Sequence, residues 1–138
     1  MNFVLKHSFS GTVVPINPTS RAILGIPADA RLGDAPGPIA VALLAVPGPQ
    51  IPATLAACGD AGVRACEVLT ADFAEAGSAG IKRQNELVRI ARAHGMRLIG
   101  PNCLGFINPG LKLALTSSVA KEGVASFKEK RKPRFRGK

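Results

Sequence analysis

A chain of 138 residues with 46% hydrophobic side chains is long enough for one domain with a core of its own. No apolar stretch approaches the roughly 20 residues that span a bilayer, residues 1–9 are too short and polar for a signal peptide, and aromatics at 4% are too few for a surface that stacks on bases. The net charge of +9 is mostly terminal, because residues 128–138 hold seven Lys or Arg and one Glu and leave +3 for the first 127.

In chain order, residues 2–9 read as the end of a helix with Gly11 just beyond it. Thr12, Val13, Val14 and Ile16 mark a strand that stops at Asn17-Pro18. Residues 39–46 are a continuous apolar run with β-branched side chains between two Pro-Gly-Pro segments, which predicts a strand buried on both faces. Residues 51–61 follow Pro49, carry Pro52 in a first turn and stop at Gly62, where a helix C-terminus belongs. Residues 64–70 give another strand. Residues 79–94 give the clearest helix, with Ile81, Leu87, Val88, Ile90 and Ala91 on one face, Arg92 and His94 in the last turn, Gly95 closing it, and a Glu86–Arg89 pair at helical spacing. Alternation of strands and helices predicts an α/β domain with a parallel sheet and helices on both faces.

Residues 98–109 are the most informative. The apolar Leu98-Ile99 runs into Gly100-Pro101-Asn102-Cys103-Leu104-Gly105, then Phe106, Ile107 and Asn108-Pro109. A strand that ends in Gly-Pro leaves its sheet there, since proline cannot donate to the ladder. In open parallel sheets such strand ends line the ligand crevice. The Gly100 to Gly105 spacing is that of a phosphate-cradling loop, but Phe106 and Ile107 stand where Lys and Ser or Thr would follow, so nucleotide hydrolysis gains no support.

Four collinear segments resemble the CoA-binding domain of the NDP-forming acyl-CoA synthetases, the family of the succinyl-CoA synthetase α subunit and the ADP-forming acetyl-CoA synthetases. They are Gly11-Thr12-Val13-Val14-Pro15-Ile16-Asn17-Pro18, Pro36-Gly37-Pro38 leading to Ala45-Val46-Pro47, Leu69-Thr70-Ala71-Asp72-Phe73-Ala74-Glu75, and Gly100 to Gly105 through Asn108-Pro109. The resemblance extends from Asn2 to Phe127, and its last segment is the most specific. It implies a Rossmann-like, doubly wound parallel sheet that binds coenzyme A across its strand ends. By resemblance, Asn17 and Pro18 border the adenine and ribose, Val46 and Pro47 form an apolar wall, Leu69, Thr70 and Ala71 form a CoA-contacting turn, and Asn102 and Cys103 lie near the thiol end. The family reaction joins an acid to CoA at the expense of an NTP, through an acyl phosphate and a phosphohistidine. That histidine belongs to another domain, and neither His7 nor His94 matches it. The implied partners are CoA and a ligase or ATP-grasp domain or subunit of the same system.

The residues also admit structural readings. Asn17-Pro18 and Asn108-Pro109 are common turn dipeptides. Cys103 is alone in its loop, and a nucleophilic role would need a basic partner that the sequence does not display. Three points depart from the family pattern: Asp72 stands where the family has Gly, Thr19 stands where it has a basic residue with Arg21 two positions on, and no Gly-x-Gly-x-x-Gly occurs. The expectation is a domain over residues 1–127 that lacks the family's first strand and Gly-rich loop, followed by a basic, disordered tail over 128–138 from truncation or a frameshift. A missing central strand would leave a gap of roughly 9 to 10 Å, and CoA binding would be weak. A nucleic-acid or anionic-surface binder acting through the tail, or a nicotinamide-dependent oxidoreductase fragment, are the rival readings; the latter would need an acidic residue where Asn17-Pro18 stands. Cys58, Cys66 and Cys103, odd in number and without Cys-x-x-Cys, fit a reducing cytoplasm, and His7 and His94 show no metal-ligand spacing with them.

Overall fold

The computed structural model describes residues 9–116, with backbone alone at Ala114 and Thr116. Most of the expected N-terminal helix and all of the basic tail fall outside the described residues. Residues 10–103 form one compact unit, and the hairpin that follows Cys103 belongs to a second.

The first unit is built on a three-stranded parallel sheet of β3 (Val41–Leu44), β4 (Ala65–Val68) and β5 (Arg97–Ile99), in that spatial order. Cys66 pairs with Ala42 on one side and Leu98 on the other, and Glu67 pairs likewise with Leu43 and Ile99. Helix α1 (Ile51–Asp60) connects β3 to β4, and helix α2 (Ser78–Ala93) connects β4 to β5. The two helices pack against each other, so both lie on one face of the sheet. Strands added in one direction with a helix after each are the repeating βαβ unit of a Rossmann-like sheet.

Alternation along β4 sends Cys66 and Val68 to one face and Ala65 and Glu67 to the other. Cys66 and Val68 join Leu44, Ile51, Leu55, Cys58, Leu87, Ile90 and Met96 in a continuous core beneath the helices. Cys66 Sγ lies 4.0 Å from Met96 Sδ, and its hydrogen bond with Cys58, together with burial, pushes the Cys66 thiol well above the usual range. Both Cys58 and Cys66 are free thiols buried in this core.

Elsewhere the structure corrects the sequence reading. Residues 12–16 form no strand; only Ile16 makes a single parallel bridge, to Asp29, because the chain turns away immediately at Asn17. A tight hairpin of β1 (Ala22–Ile23) and β2 (Ile26–Pro27) follows, turning on Leu24 and Gly25, both at positive φ. The expected strand 39–46 shortens to the four residues that pair with Ala65–Val68 of β4. On α2 Ile81 is half exposed at 49%, and Gly80 is buried in its place. The inward stripe runs through Gly80, Gln84, Leu87 and Ala91, so Ile81 points away from it. Glu86 and Arg89 do not form an ion pair; among the described residues that contact is made by His94 and Asp60. The second unit contains the antiparallel hairpin β6 (Gly105–Asn108) and β7 (Leu113–Thr116), which the sequence reading did not foresee. Asn108 Oδ1 accepts from the Leu111 peptide at 3.2 Å, so the Asn108-Pro109 dipeptide builds the hairpin turn. Among the described residues no helix is long and apolar enough to cross a membrane.

Two glycines set how closely the helices approach their neighbours. A Cβ on Gly80 would overlap the Phe73 carbonyl, and one on Gly59 would overlap the His94 ring. Because the obstacle at Gly80 is backbone, Gly80→Ala is expected to destabilise the fold by about 2 to 4 kcal/mol, read from urea denaturation midpoints at constant m. A midpoint equal to wild type would show that the turn below α2 gives way freely.

His94 ties the C-terminus of α2 to the end of α1. Its Nδ1 lies 3.0 Å from the Ile90 carbonyl and its Nε2 3.2 Å from Asp60 Oδ1. The Ile90 carbonyl first, then the Asp60 carboxylate, hold the imidazole above its ordinary range. A raised folded value means that the protonated form favours the native state. The resulting stability is therefore complete below the unfolded histidine value of about 6.5 and is lost as pH rises through the higher folded value. Denaturation midpoints should fall across that window in wild type, less in Asp60→Asn, and least in His94→Gln; identical pH profiles for the three would contradict this account.

Candidate functional site

Three loops leave the C-terminal edge of the parallel sheet: residues 45–48 after β3, 69–72 after β4, and 100–103 after β5. The strands are parallel, so these loops necessarily emerge side by side, where an open α/β sheet presents its crevice. The Leu69 peptide donates to the Leu44 carbonyl at 3.1 Å and carries the pairing one step past β4. Beyond it the regular ladder stops and side chains take over.

Thr70 joins all three loops. Its Oγ1 donates to the Val46 carbonyl at 2.7 Å, and its own carbonyl accepts from the Asn102 peptide at 3.0 Å. Both acceptors lie at the sheet rim, where a backbone carbonyl without a partner would need water. After Pro47 the chain makes one 3₁₀ turn over Gly48–Gln50 and enters α1 directly. Gly48 sits against Thr70 and Ala71, with a Cβ position 4.0 Å from the Thr70 methyl and the Ala71 carbonyl. Val46, Leu69, Thr70 and Cys103 are half-buried, while Pro47, Ala71 and Asn102 are exposed. The rim thus offers apolar side chains with backbone polar groups between them.

The turn after Ala71 accommodates the departure at Asp72. Asp72 lies at φ +72, in the left-handed region that favours glycine. It is braced from two sides: its peptide donates to Glu75 Oε1 at 2.8 Å, and its carbonyl accepts from Arg83 Nε at 3.1 Å and from the guanidinium Nη2. Bonds to backbone, first to its own peptide and then to those of Phe73 and Asp72, hold the Glu75 carboxyl below its usual range. Asn102 also lies at positive φ, +52, next to the cis Gly100-Pro101 bond. A Cβ on Gly100 would approach the Val68 carbonyl to 2.5 Å and Cys103 Sγ to 3.1 Å, so only glycine fits where the loop folds back on β4.

The residue that sequence reading missed is Glu67. It is fully buried at 0% exposure on the face of β4 away from the helices, and its Oε1 accepts from Cys103 Sγ at 3.3 Å. Oε2 is buried with no hydrogen-bond partner among the described residues. Cys103 Sγ also lies 3.4 Å from the Val68 carbonyl. Burial pushes the Glu67 carboxyl up, and the thiol hydrogen bond opposes that shift. The available signal was a lone carboxylate in the middle of an otherwise apolar run, 65–68. In these two contacts the Cys103 thiol thus meets a buried carboxyl group and a backbone carbonyl rather than a basic side chain.

Asn17 and Pro18 stand apart from this network. Asn17 Oδ1 accepts from the Thr19 peptide at 2.9 Å, the Thr19 hydroxyl at 3.0 Å and the Ser20 peptide at 2.9 Å, and the Asn17 peptide donates to Asp29 at 2.8 Å. These bonds tie Asn17 to its own turn and to Asp29 rather than to the three strand-end loops. Gly105 opens a strand, so the Gly100 to Gly105 segment does not lead into the helix N-terminus that a phosphate loop requires. Among the described residues no three His, Cys, Asp or Glu side chains are grouped to hold a metal ion.

A family profile described as a CoA binding domain matches residues 1–109. The chain is 38% identical over 124 residues to the α subunit of acetate–CoA ligase (ADP-forming) II of Pyrococcus furiosus, covering 89% of this chain and 27% of that protein. It is 40% identical over 119 residues to acetate–CoA ligase (ADP-forming) I of Archaeoglobus fulgidus, covering 85% of this chain and 17% of that one. Among solved structures, a Pyrococcus horikoshii OT3 protein superposes with a TM-score of 0.81 at 34% identity, over 92% of this chain and 33% of its own. The apo dinucleotide-forming acetyl-coenzyme A synthetase 1 of Candidatus Korarchaeum cryptofilum gives 0.78 at 35% identity, over 83% and 25%. The curated relatives are thus several times longer, and the match falls on one part of them. With a profile spanning most of the chain, relatives above 30% identity and the same parallel-sheet fold, the chain belongs to the CoA-binding domain family carried by NDP-forming acyl-CoA synthetases.

Proposed function

We propose that this chain holds coenzyme A across the C-terminal ends of β3, β4 and β5, as the CoA-binding part of an NDP-forming acid–CoA ligase. The observation that carries this reading is the pair of bonds at Thr70, which join the three strand-end loops into one continuous rim. In this assignment Val46, Pro47 and Leu69 give apolar contact, Thr70 and Ala71 form the turn beneath the ligand, and Asn102 and Cys103 border its thiol end. Asn17 and Pro18 take the adenine and ribose side, with Arg21 the nearest cation in sequence for a phosphate. The reaction of such a ligase makes an acyl-CoA from an acid, CoA and an NTP. Binding and orienting CoA is the share of these residues, and the phosphoryl-transfer steps fall to a partner ligase or ATP-grasp domain or subunit.

The full chain should release or absorb heat with CoA in titration calorimetry and show none with NADH. Thr70→Val removes the hydroxyl that bridges two loops while keeping side-chain volume, and should weaken CoA binding about three- to tenfold, the worth of one net hydrogen bond. Binding of NADH but not CoA would reverse the assignment.

A further inference from the structure

The Glu67–Cys103 contact lies beneath the 100–103 loop. A carboxyl at 0% exposure carries a large desolvation cost, and its Oε2 has no partner among the described residues to offset it. An apolar side chain at this position would remove that cost. What the carboxyl does provide is an acceptor beneath the loop 100–103, reached by Cys103 Sγ at 3.3 Å. The same loop also meets β4 through the Cys103 contact with the Val68 carbonyl at 3.4 Å, and the loop after β4 through the Asn102 peptide on Thr70 at 3.0 Å. It runs through Gly100 and Asn102 at positive φ, a conformation that both residue types adopt readily.

We infer that Glu67 is a positioning residue: through the Cys103 thiol it fixes the 100–103 loop in the conformation that borders the CoA thiol end. The inference rests on the CoA reading above for its ligand, but the mechanical link between Glu67 and the loop stands on its own. It separates stability from binding, since the carboxyl burdens the fold and serves the rim.

The test uses the full chain, four single variants and the Glu67→Leu/Cys103→Ala double variant. Glu67→Gln keeps an acceptor and should bind CoA within about twofold of wild type, and Cys103→Ser keeps a donor and should leave amide exchange at Asn102 as in wild type. Glu67→Leu and Cys103→Ala should each weaken CoA about three- to tenfold, the double variant should be no weaker than the worse single, and the denaturation midpoint of Glu67→Leu should hold or rise. In parallel, amide exchange of the peptide containing Asn102 should speed up about three- to tenfold in Glu67→Leu and Cys103→Ala, with β3 and β4 unchanged. Wild-type CoA affinity in Glu67→Leu, additive losses in the double variant, or unaltered loop exchange would overturn the inference. A wild-type chain that fails to bind CoA would sink the proposed function instead, and the exchange measurement would still decide whether Glu67 holds the loop. Should Glu67→Leu not fold, Asn102 amide exchange in Cys103→Ala against Cys103→Ser decides the link, faster exchange in Cys103→Ala alone supporting it and equal rates overturning it.

Discussion

The hydrogen bond from the Thr70 hydroxyl to the Val46 carbonyl is the contact on which the rest of the site depends. A parallel sheet satisfies its backbone groups only as far as its strands pair, and its strand ends are left to separate loops. One short polar side chain at the first position past the pairing closes that gap on one side, while its peptide carbonyl receives Asn102 on the other. Three loops thereby share a central fastening at Thr70.

The helices and the sheet were legible because each obeys a local rule. The apolar runs and the Pro and Gly punctuation located α1 and α2 to within a residue or two and placed the three paired strands correctly, and the Gly-Pro-Asn-Cys segment marked the place where β5 releases the chain. What failed was where a local rule met a non-local one. Thr12 to Ile16 has strand composition, yet a strand exists only with a partner along its length, and here one bridge is made. Ile81 has helical periodicity but falls outside the stripe, because Gly80 is the residue small enough for the Phe73 carbonyl.

The site was half legible. Thr70, Asn102 and Cys103 are identifiable from their places past strand ends, but nothing in one sequence says that a hydroxyl 24 residues away in the chain will find the Val46 carbonyl. Glu67 was hidden for the opposite reason: a single charged residue in an apolar strand is normally an exposed edge position, and only the packed structure reveals that it is enclosed. Asn17 shows a third case, since a side chain that accepts three hydrogen bonds from its own turn has a complete structural occupation before any ligand is considered.

The turn at Asp72 is wired through peptide atoms: Glu75 takes its amide and Arg83 its carbonyl, while the exposed carboxylate takes no part in either bond. The carboxylate's charge is therefore uncoupled from the bonds that hold this corner, while the positive φ still favours Gly, Asn or Asp there. A lineage could exchange the aspartate for a neutral residue and so retune the charge presented to an anionic guest, leaving the corner's geometry in the keeping of its two neighbours.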